Sequence, residues 1–491
     1  MTAILAKSFP RAGFAPELWV GVALALFTVI IRAAWFGDHN ADTDEQLYSL
    51  IGNAMLEGRL VFVDLWDRKP FGLFALFALA HAIGGPGPEA YQVMGGLFTF
   101  GGAWLTYRLA RHMVNPSTAA GAGLLYIVLT AIYGAYSGNS EVFFIPMMLA
   151  TAVLVRDPAH PRAVMRMLAA MLIGGAALQV KYTVLPQCVF FGLWGLWGQY
   201  RQGAAPVRLV LLAAVSAALG LLPTALVAAY YAALGHLDAF VFANFLSFFD
   251  RIPSGSGRLR QTIAVFLVPL AGLALGGINA ARRSGRTGFS QTYVFSLLWL
   301  AASLASVFLP ADIYRYYLAA LVPATILVSL PLFAPSPPGT QINLPMLLLV
   351  ALYLLLMPSQ YAATQESRAA TERLAGAIAP HIDPAAGRCL LVFDGPTSLY
   401  RLTNSCLPSR LVYPDHLNNA LERKALGVSQ EGEVARLLAT RPPVIVTADR
   451  PFTPQNRDAK RLVDDAIARD YQAIAQETLD RRVITAWQLR R

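Results

Sequence analysis

Long apolar runs separated by short polar connections fill the first three quarters of the chain. They recur from "LWVGVALALFTVIIRAAWF" (18–36) to "LPMLLLVALYLLLMP" (344–358). Many approach the roughly 20 apolar residues that carry a helix across a bilayer. Beyond residue 360 the pattern changes: Arg, Asp, Glu and Pro interrupt every apolar stretch, and none has the length of a span. The chain therefore reads as an α-helical polytopic membrane domain, 1–360, followed by a water-soluble domain, 361–491. In the second part "CLLVFD" (389–394) and "PVIVTA" (443–448) read as buried strands, with a helix over "EGEVARLLAT" (431–440). That predicts a small α/β domain able to cover a site, recruit an acceptor or stabilise the whole.

Hydropathy gives about twelve apolar segments, and the distribution of Arg tests that number. If "FGLFALFALAHAIGG" (71–85) crosses fully, the Arg-bearing loops at 108–113, 156–166, 201–208 and 282–286 all fall outside. If that short stretch returns to the side it came from, all four become cytoplasmic. The second reading leaves about eleven spans: 18–36, 91–107, 117–135, 140–155, 164–179, 184–199, 207–234, 261–280, 290–309, 313–333 and 343–358. The N-terminus is then cytoplasmic and the tail is not. Lys7 and Arg11 precede the first span and no small-residue cleavage site follows it, so the span is expected to be retained. The non-cytoplasmic face collects a first loop (about 37–90), "YSGNSE" (136–141), "QVKYT" (179–183), a loop near 235–260, "ADIYRYY" (311–317) and the tail.

Composition narrows the class further. Hydrophobic residues make up 56% of the chain and charged residues only 14%, too few to cover a soluble protein of this size. Mean hydropathy is +0.49. The formal charge of +10 reflects Arg at membrane boundaries, and no nucleic-acid partner is expected. The seven histidines are scattered without metal-ligand spacing, and three cysteines make neither a zinc cluster nor a disulfide scaffold. Cys389 and Cys406 can pair if the tail lies in an oxidising compartment. Cys188 reads as a small buried apolar residue.

The chemistry concentrates just after the first span, in "DTDEQLYSL" (42–50). Asp42 and Glu45 have the spacing of a capping box. Leu47, Leu50, Ile51, Ala54 and Met55 then share one helical face, and Gly58 is a stop. This predicts an amphipathic interfacial helix over 43–57. Capping leaves Asp44 without a role. A second cluster, "DLWDRKPFG" (64–72), sets Asp64, Asp67, Arg68 and Lys69 just before the helix of 71–85, with Pro70 fixing its start. Glu141, Lys181 and Arg315 recur at the same membrane level on other spans.

These residues carry a resemblance. Asp44-Glu45, Tyr48 four residues on, Gly58, then Asp64, Asp67, Lys69 and Pro70 opening a short apolar helix resemble the GT-C superfamily of membrane glycosyltransferases. The likeness is to the branch of the protein O-mannosyltransferases and the lipid A aminoarabinose transferase. "NSEVFFIPMMLA" (139–150) and "RYYLAALVP" (315–323) resemble two later segments of that family. The likeness covers most of 18–333 and is strongest over 42–85. Phe71 stands where the family commonly has a second proline, and the tail has no matching motif.

The resemblance implies a hexosyl- or pentosyltransferase of the cell envelope that uses a polyprenyl-phosphate sugar donor and inverts the anomeric carbon. It also implies residence in the bacterial inner membrane, with the C-terminal domain periplasmic. Asp44 is the candidate base for an acceptor hydroxyl. Lys69 and Arg315, then Lys181 and Arg68, are the candidates for the donor phosphate. Glu45, Asp67 and Glu141 can orient the acceptor, hold a divalent cation or anchor these cations, and the sequence leaves the three roles open. Tyr48, Tyr316 and Tyr317, with Tyr314, are candidates for a sugar pocket and equally for interfacial anchors. No phosphate-binding glycine motif occurs, so no nucleotide cofactor is expected. The acceptor is a lipid, a glycan or a protein. The rival readings are a lipid or glycan transporter or flippase, a polysaccharide polymerase or ligase of another fold, and a non-catalytic scaffold. A transporter usually carries its ionisable residues near the midplane, and here they sit at span ends on one face.

Overall fold

A computed structural model describes residues 14–253, 260–283, 290–310, 313–333 and 344–490. Lys7, Arg11, residues 284–286 of one Arg-bearing loop and residues 311–312 lie outside the described residues. The molecule is mostly helical, with a small C-terminal sheet. Among the described residues six helices are long and apolar enough to cross a membrane, from Glu17–Trp35 to Met346–His381. A seventh is counted if α3 (Phe71–Gly84) and α4 (Pro88–Ala110), bent by 114°, make one span.

The eleven expected spans are thus not all matched by helix length. The helices α5 (Pro116–Ile132), α6 (Ser140–Val155) and α7 (Ala163–Leu178) have only 17, 16 and 16 residues. The polar ends of the apolar runs shorten them. Asn139 precedes α6 and gives its amide to the Gly134 carbonyl, 2.7 Å away. After α7 the Gln179 amide donates to Thr224 at 2.8 Å, and Lys181 is drawn to Glu141.

The chain forms two compact units. The first comprises Met1–Ala34, Val93–Leu226 and Gly255–Pro358, and the second Trp35–Gln92, Val227–Ser254 and Ser359–Arg491. The first loop and the tail therefore belong to one folding unit. Within the first unit, Phe191, Phe295 and Trp299 are fully buried, and the Trp299 indole donates to Gln187 at 2.9 Å. Arg32, at the end of α1 (Phe14–Arg32), donates to Thr99 at 3.1 Å and to the Ser137 carbonyl. Its charge is satisfied inside the protein rather than left in lipid.

In the second unit α2 (Thr43–Leu56) lies against α3. Gly52 allows the close approach, because a Cβ there would come within 2.8 Å of Phe77 Cβ. Gly58 takes φ +84° just past the helix, the left-handed turn that a Cβ disfavours. One expectation needs correction. The sequence predicts a helix with one polar face, yet Glu45, Gln46 and Ser49 are buried as well as Leu47, Ile51 and Ala54. The tail supplies part of the cover: the Ser398 backbone N–H donates to Gln46 at 3.1 Å.

The sheet has the order β1 (Leu391–Val392), β2 (Val444–Ala448), β4 (Arg482–Leu489), β3 (Tyr471–Leu479). β1 and β2 are parallel, and the other pairs are antiparallel. The two expected strands and the helix Gln430–Ala439 are present. The β3–β4 hairpin is new. Its two-residue connection, Asp480 and Arg481, has φ of 48° and 63°, as a type I′ turn requires, without the Asn-Gly signature that would announce it.

A disulfide joins Cys389 to Cys406, 17 residues apart, beside β1. Cys389→Ser/Cys406→Ser is expected to lower the stability of the tail by about 2–3 kcal/mol through the loop-closure entropy restored to the unfolded chain. Thermal unfolding with and without reductant checks this: the variant should match the reduced wild type. Cys188 is free and buried.

Candidate active site

The residues of 42–72 converge in the second unit. Asp42 caps α2 and accepts from the Asp44 N–H at 2.9 Å, which leaves the Asp44 side chain to point elsewhere. Tyr48, one turn on, donates its hydroxyl to Asp44 Oδ2 at 3.1 Å. Lys69 Nζ lies 2.8 Å from the Tyr48 hydroxyl and 3.5 Å from Asp44 Oδ2. Tyr413, from the tail, donates to Asp44 Oδ1 at 3.2 Å. Three donors thus hold one carboxylate, and its side chain keeps 23% of its surface exposed. The Tyr48 ring is buried edge-on against Phe74 and Phe77 of α3, so the hydroxyl has little freedom to wander.

Lys69 is positioned by its own loop. Asp67 Oδ1 accepts from the Lys69 backbone N–H at 2.7 Å, and Pro70 then starts α3 with φ −61°. Asp64 ties the loop back to the Leu60 N–H at 2.7 Å. Phe71, the departure from the family pattern, packs its ring 6.3 Å from Tyr230 and 6.2 Å from Tyr231. Glu45 points away from Asp44 chemistry: it is fully buried and accepts from the Tyr91 hydroxyl at 3.1 Å.

The tail provides more than a cover. His416 lies 3.8 Å from Asp67 and edge-on to Trp66, with ring centroids 4.8 Å apart. Burial pulls its imidazole down to about 4, so at neutral pH it meets Asp67 as a neutral ring. Burial, then the neighbouring Asp44, hold the Tyr413 phenol well above its usual range, so it remains a donor. Arg68, a candidate phosphate ligand, instead makes a two-pronged pair with Glu422. Arg251 reaches the same carboxylate at 2.8 Å. Burial alone would raise Glu422, but the Arg68 and Arg251 guanidiniums bring it down to about 2.

Asp415, beside Tyr413, shows the opposite balance. Burial lifts its carboxyl to about 6, against bonds from Thr453 at 2.9 Å and Asn419 at 3.2 Å. A folded-state value above the unfolded 3.8 means that the folded chain binds more protons between these values. Stability is therefore lost as pH rises from about 4 to about 6. Asp415→Asn is expected to remove that slope and to stabilise the protein at pH 7 by about 1–3 kcal/mol. Thermal melts of both proteins across that pH range would show it, and parallel pH profiles would contradict it.

A second cluster forms in the first unit. Glu141 and Lys181 make a buried ion pair, and Ser140 donates to the other Glu141 oxygen at 2.8 Å. Lys181 Nζ stands 3.8 Å from the Tyr317 ring centroid and 5.4 Å from that of Tyr316. Glu141 therefore anchors a cation, and the two tyrosines enclose it. Tyr314 stacks on Tyr316. Arg315 is exposed, with its guanidinium 5.9 Å from the Phe266 ring centroid and no carboxylate among the described residues within ion-pair reach. Among the described residues no three His, Cys, Asp or Glu side chains are grouped to hold a metal ion.

The structure thus brings Asp44, Tyr48 and Lys69 together, with Asp67 supporting Lys69. Glu45 and Arg68 have other partners, Tyr91 and Glu422, while Glu141, Lys181, Arg315, Tyr316 and Tyr317 belong to the first unit. Sequence reasoning missed Tyr413, His416, Glu422, Tyr91 and Arg251. The first three lie more than 340 positions from their partners in the first loop, and nothing local in "LVYPDH" (411–416) announces a bond to Asp44.

No protein-family model matches the sequence, and no curated protein matches it. Solved structures do. ArnT from Cupriavidus metallidurans in the apo state superposes with a TM-score of 0.62 at 17% identity, over 96% of this chain and 97% of that one. The same protein bound to undecaprenyl phosphate gives 0.64 at 17% identity, over 96% and 98%. The archaeal oligosaccharyltransferase AglB from Archaeoglobus fulgidus gives 0.47 at 12% identity over 88% and 69%, too distant to support an argument. The chain has an ArnT-like fold along nearly its whole length.

Proposed function

We propose that this polytopic membrane protein is an inverting glycosyltransferase that moves a sugar from a polyprenyl-phosphate donor to a hydroxyl acceptor. The observation that carries the reading is the Asp44 carboxylate, held by Tyr48, Tyr413 and Lys69 and still partly open. An acceptor hydroxyl gives its proton to Asp44 while its oxygen attacks the anomeric carbon on the face opposite the leaving group. The bond from that carbon to the phosphate oxygen breaks, and the electron pair leaves with the polyprenyl phosphate. Charge grows on the phosphate as this happens, so a cation beside it lowers the barrier. Lys69 suits this role in the Asp44 cluster. The fold agrees with the donor class, since the ArnT it resembles was solved with undecaprenyl phosphate.

Location follows from the same reading: the bacterial inner membrane, with the tail and the Asp44 cluster on the periplasmic side. A disulfide in the tail suits an oxidising compartment. The purified protein is to be placed in liposomes with radiolabelled undecaprenyl-phosphate sugars and an envelope extract as acceptor source. Label moving from the lipid carrier to a new product supports the transferase. Label crossing the bilayer still attached to its carrier, with no product, would identify a transporter instead.

A further inference from the structure

An open cleft lies within the second unit, lined by residues of the first loop and the tail. Tyr413 lines it and also donates its hydroxyl to Asp44. The other residues that matter are Asp394, Asp415, Phe452 and Arg482. Asp394 is only 4% exposed. Arg482 bonds one of its oxygens, while Oδ2 is buried without a hydrogen-bond partner. A buried carboxylate oxygen lacking a donor is costly, and in a lined cleft it marks the place where a ligand hydroxyl or amide would sit.

The lining selects the chemistry. Three carboxylates, of Asp394, Asp415 and Asp480, disfavour a phosphate, and Arg482 is already paired with Asp394. Phe452 is 54% exposed, and its ring offers a flat apolar surface with the Arg482 guanidinium 5.8 Å from its centroid. A pyranose ring presents both matching features: hydroxyls at its rim and an apolar C–H face. Burial lifts both Asp394 and Asp415, a sign of a low-dielectric site where each hydrogen bond to a ligand counts for more.

We infer that this cleft is a sugar-binding subsite for the acceptor, in which Asp394 Oδ2 accepts from a sugar hydroxyl and Phe452 stacks on the ring. The acceptor label rests on the transferase reading, because the base acts on the acceptor and Tyr413 links the base to this cleft. The binding of a sugar does not depend on it.

Saturation-transfer NMR on the full-length protein in detergent tests binding directly. The probes are methyl β-glucopyranoside, methyl β-galactopyranoside and methyl N-acetyl-β-glucosaminide. At least one is expected to bind wild type, and Phe452→Ala to weaken it about fivefold by removing the stacking face. Asp394→Asn is expected to weaken it similarly. Phe452 lies at the surface, so its variant keeps the test valid if Asp394→Asn fails to fold. No binding of any glycoside to wild type, equal binding by Phe452→Ala, or displacement of the sugar by inorganic phosphate would each overturn the sugar site. In the transfer assay, Phe452→Ala should raise the acceptor KM about fivefold and leave the donor KM unchanged. A rise in the donor KM alone would overturn the acceptor assignment. Loss of the transferase reading with Phe452-dependent sugar binding intact would remove the acceptor label and leave the sugar site.

Discussion

Asp44→Asn is expected to lower sugar transfer by about 10²–10⁴-fold, the usual contribution of a positioned general base. The substitution keeps the shape of the side chain and removes its charge and its ability to take a proton. Tyr48 and Tyr413 can rotate their hydroxyls to suit the new amide, since each is both donor and acceptor. The fold should therefore survive, and the thermal midpoint should stay close to wild type. Tyr413→Phe separates chemistry from architecture. It removes one donor from Asp44 at 3.2 Å and leaves the carboxylate in place. A loss of roughly tenfold is expected, equivalent to one hydrogen bond to a charged group. The measurement is single-turnover transfer with saturating donor, alongside donor binding. Full transfer by Asp44→Asn would return Asp44 to a structural role and move the search for the base to Asp67.

Glu141→Gln should produce the largest loss of stability, about 3–5 kcal/mol, because it strands the Lys181 ammonium in a buried site. The Glu141 side chain has no exposed surface and that of Lys181 has 7%. The tyrosine rings around Lys181 offset only part of that loss, since a cation–π contact adds about 0.5–2 kcal/mol. The double variant Glu141→Gln/Lys181→Met removes both charges and is expected to recover most of the stability. Thermal unfolding in detergent of the single and double variants measures the coupling. Additive losses would show that the pair contributes little, and that the buried ammonium finds other compensation.

The sequence made most of the local structure legible. Asp42 as the N-cap, Gly58 as the stop, Pro70 at the start of α3 and the strand "PVIVTA" each depend on chemistry within a few residues. So does the spacing that puts Tyr48 one turn beyond Asp44. The β3–β4 hairpin was hidden because Asp480 and Arg481 take left-handed conformations that their residue types do not advertise.

Hydropathy gave a count of spans, but not where each helix stops. Helix ends such as Asn139 and Gln179 are set by partners inside the protein. The burial of α2 on its polar side was equally out of reach, because its cover arrives from residue 398.

The candidate site divides in the same way. From the sequence alone came the membrane class, the acidic cluster after the first span, and Asp44 and Lys69 as separate candidates for a base and a phosphate ligand. Only the tertiary structure decided their surroundings: Lys69 beside Asp44, Tyr413 on the second Asp44 oxygen and His416 beside Asp67, the last two from the tail. It also decided that Arg68 serves Glu422. The physical reason is separation along the chain. A side chain's helix neighbours are fixed by a period of 3.6 residues, whereas a partner about 370 positions away is fixed only by how the chain packs.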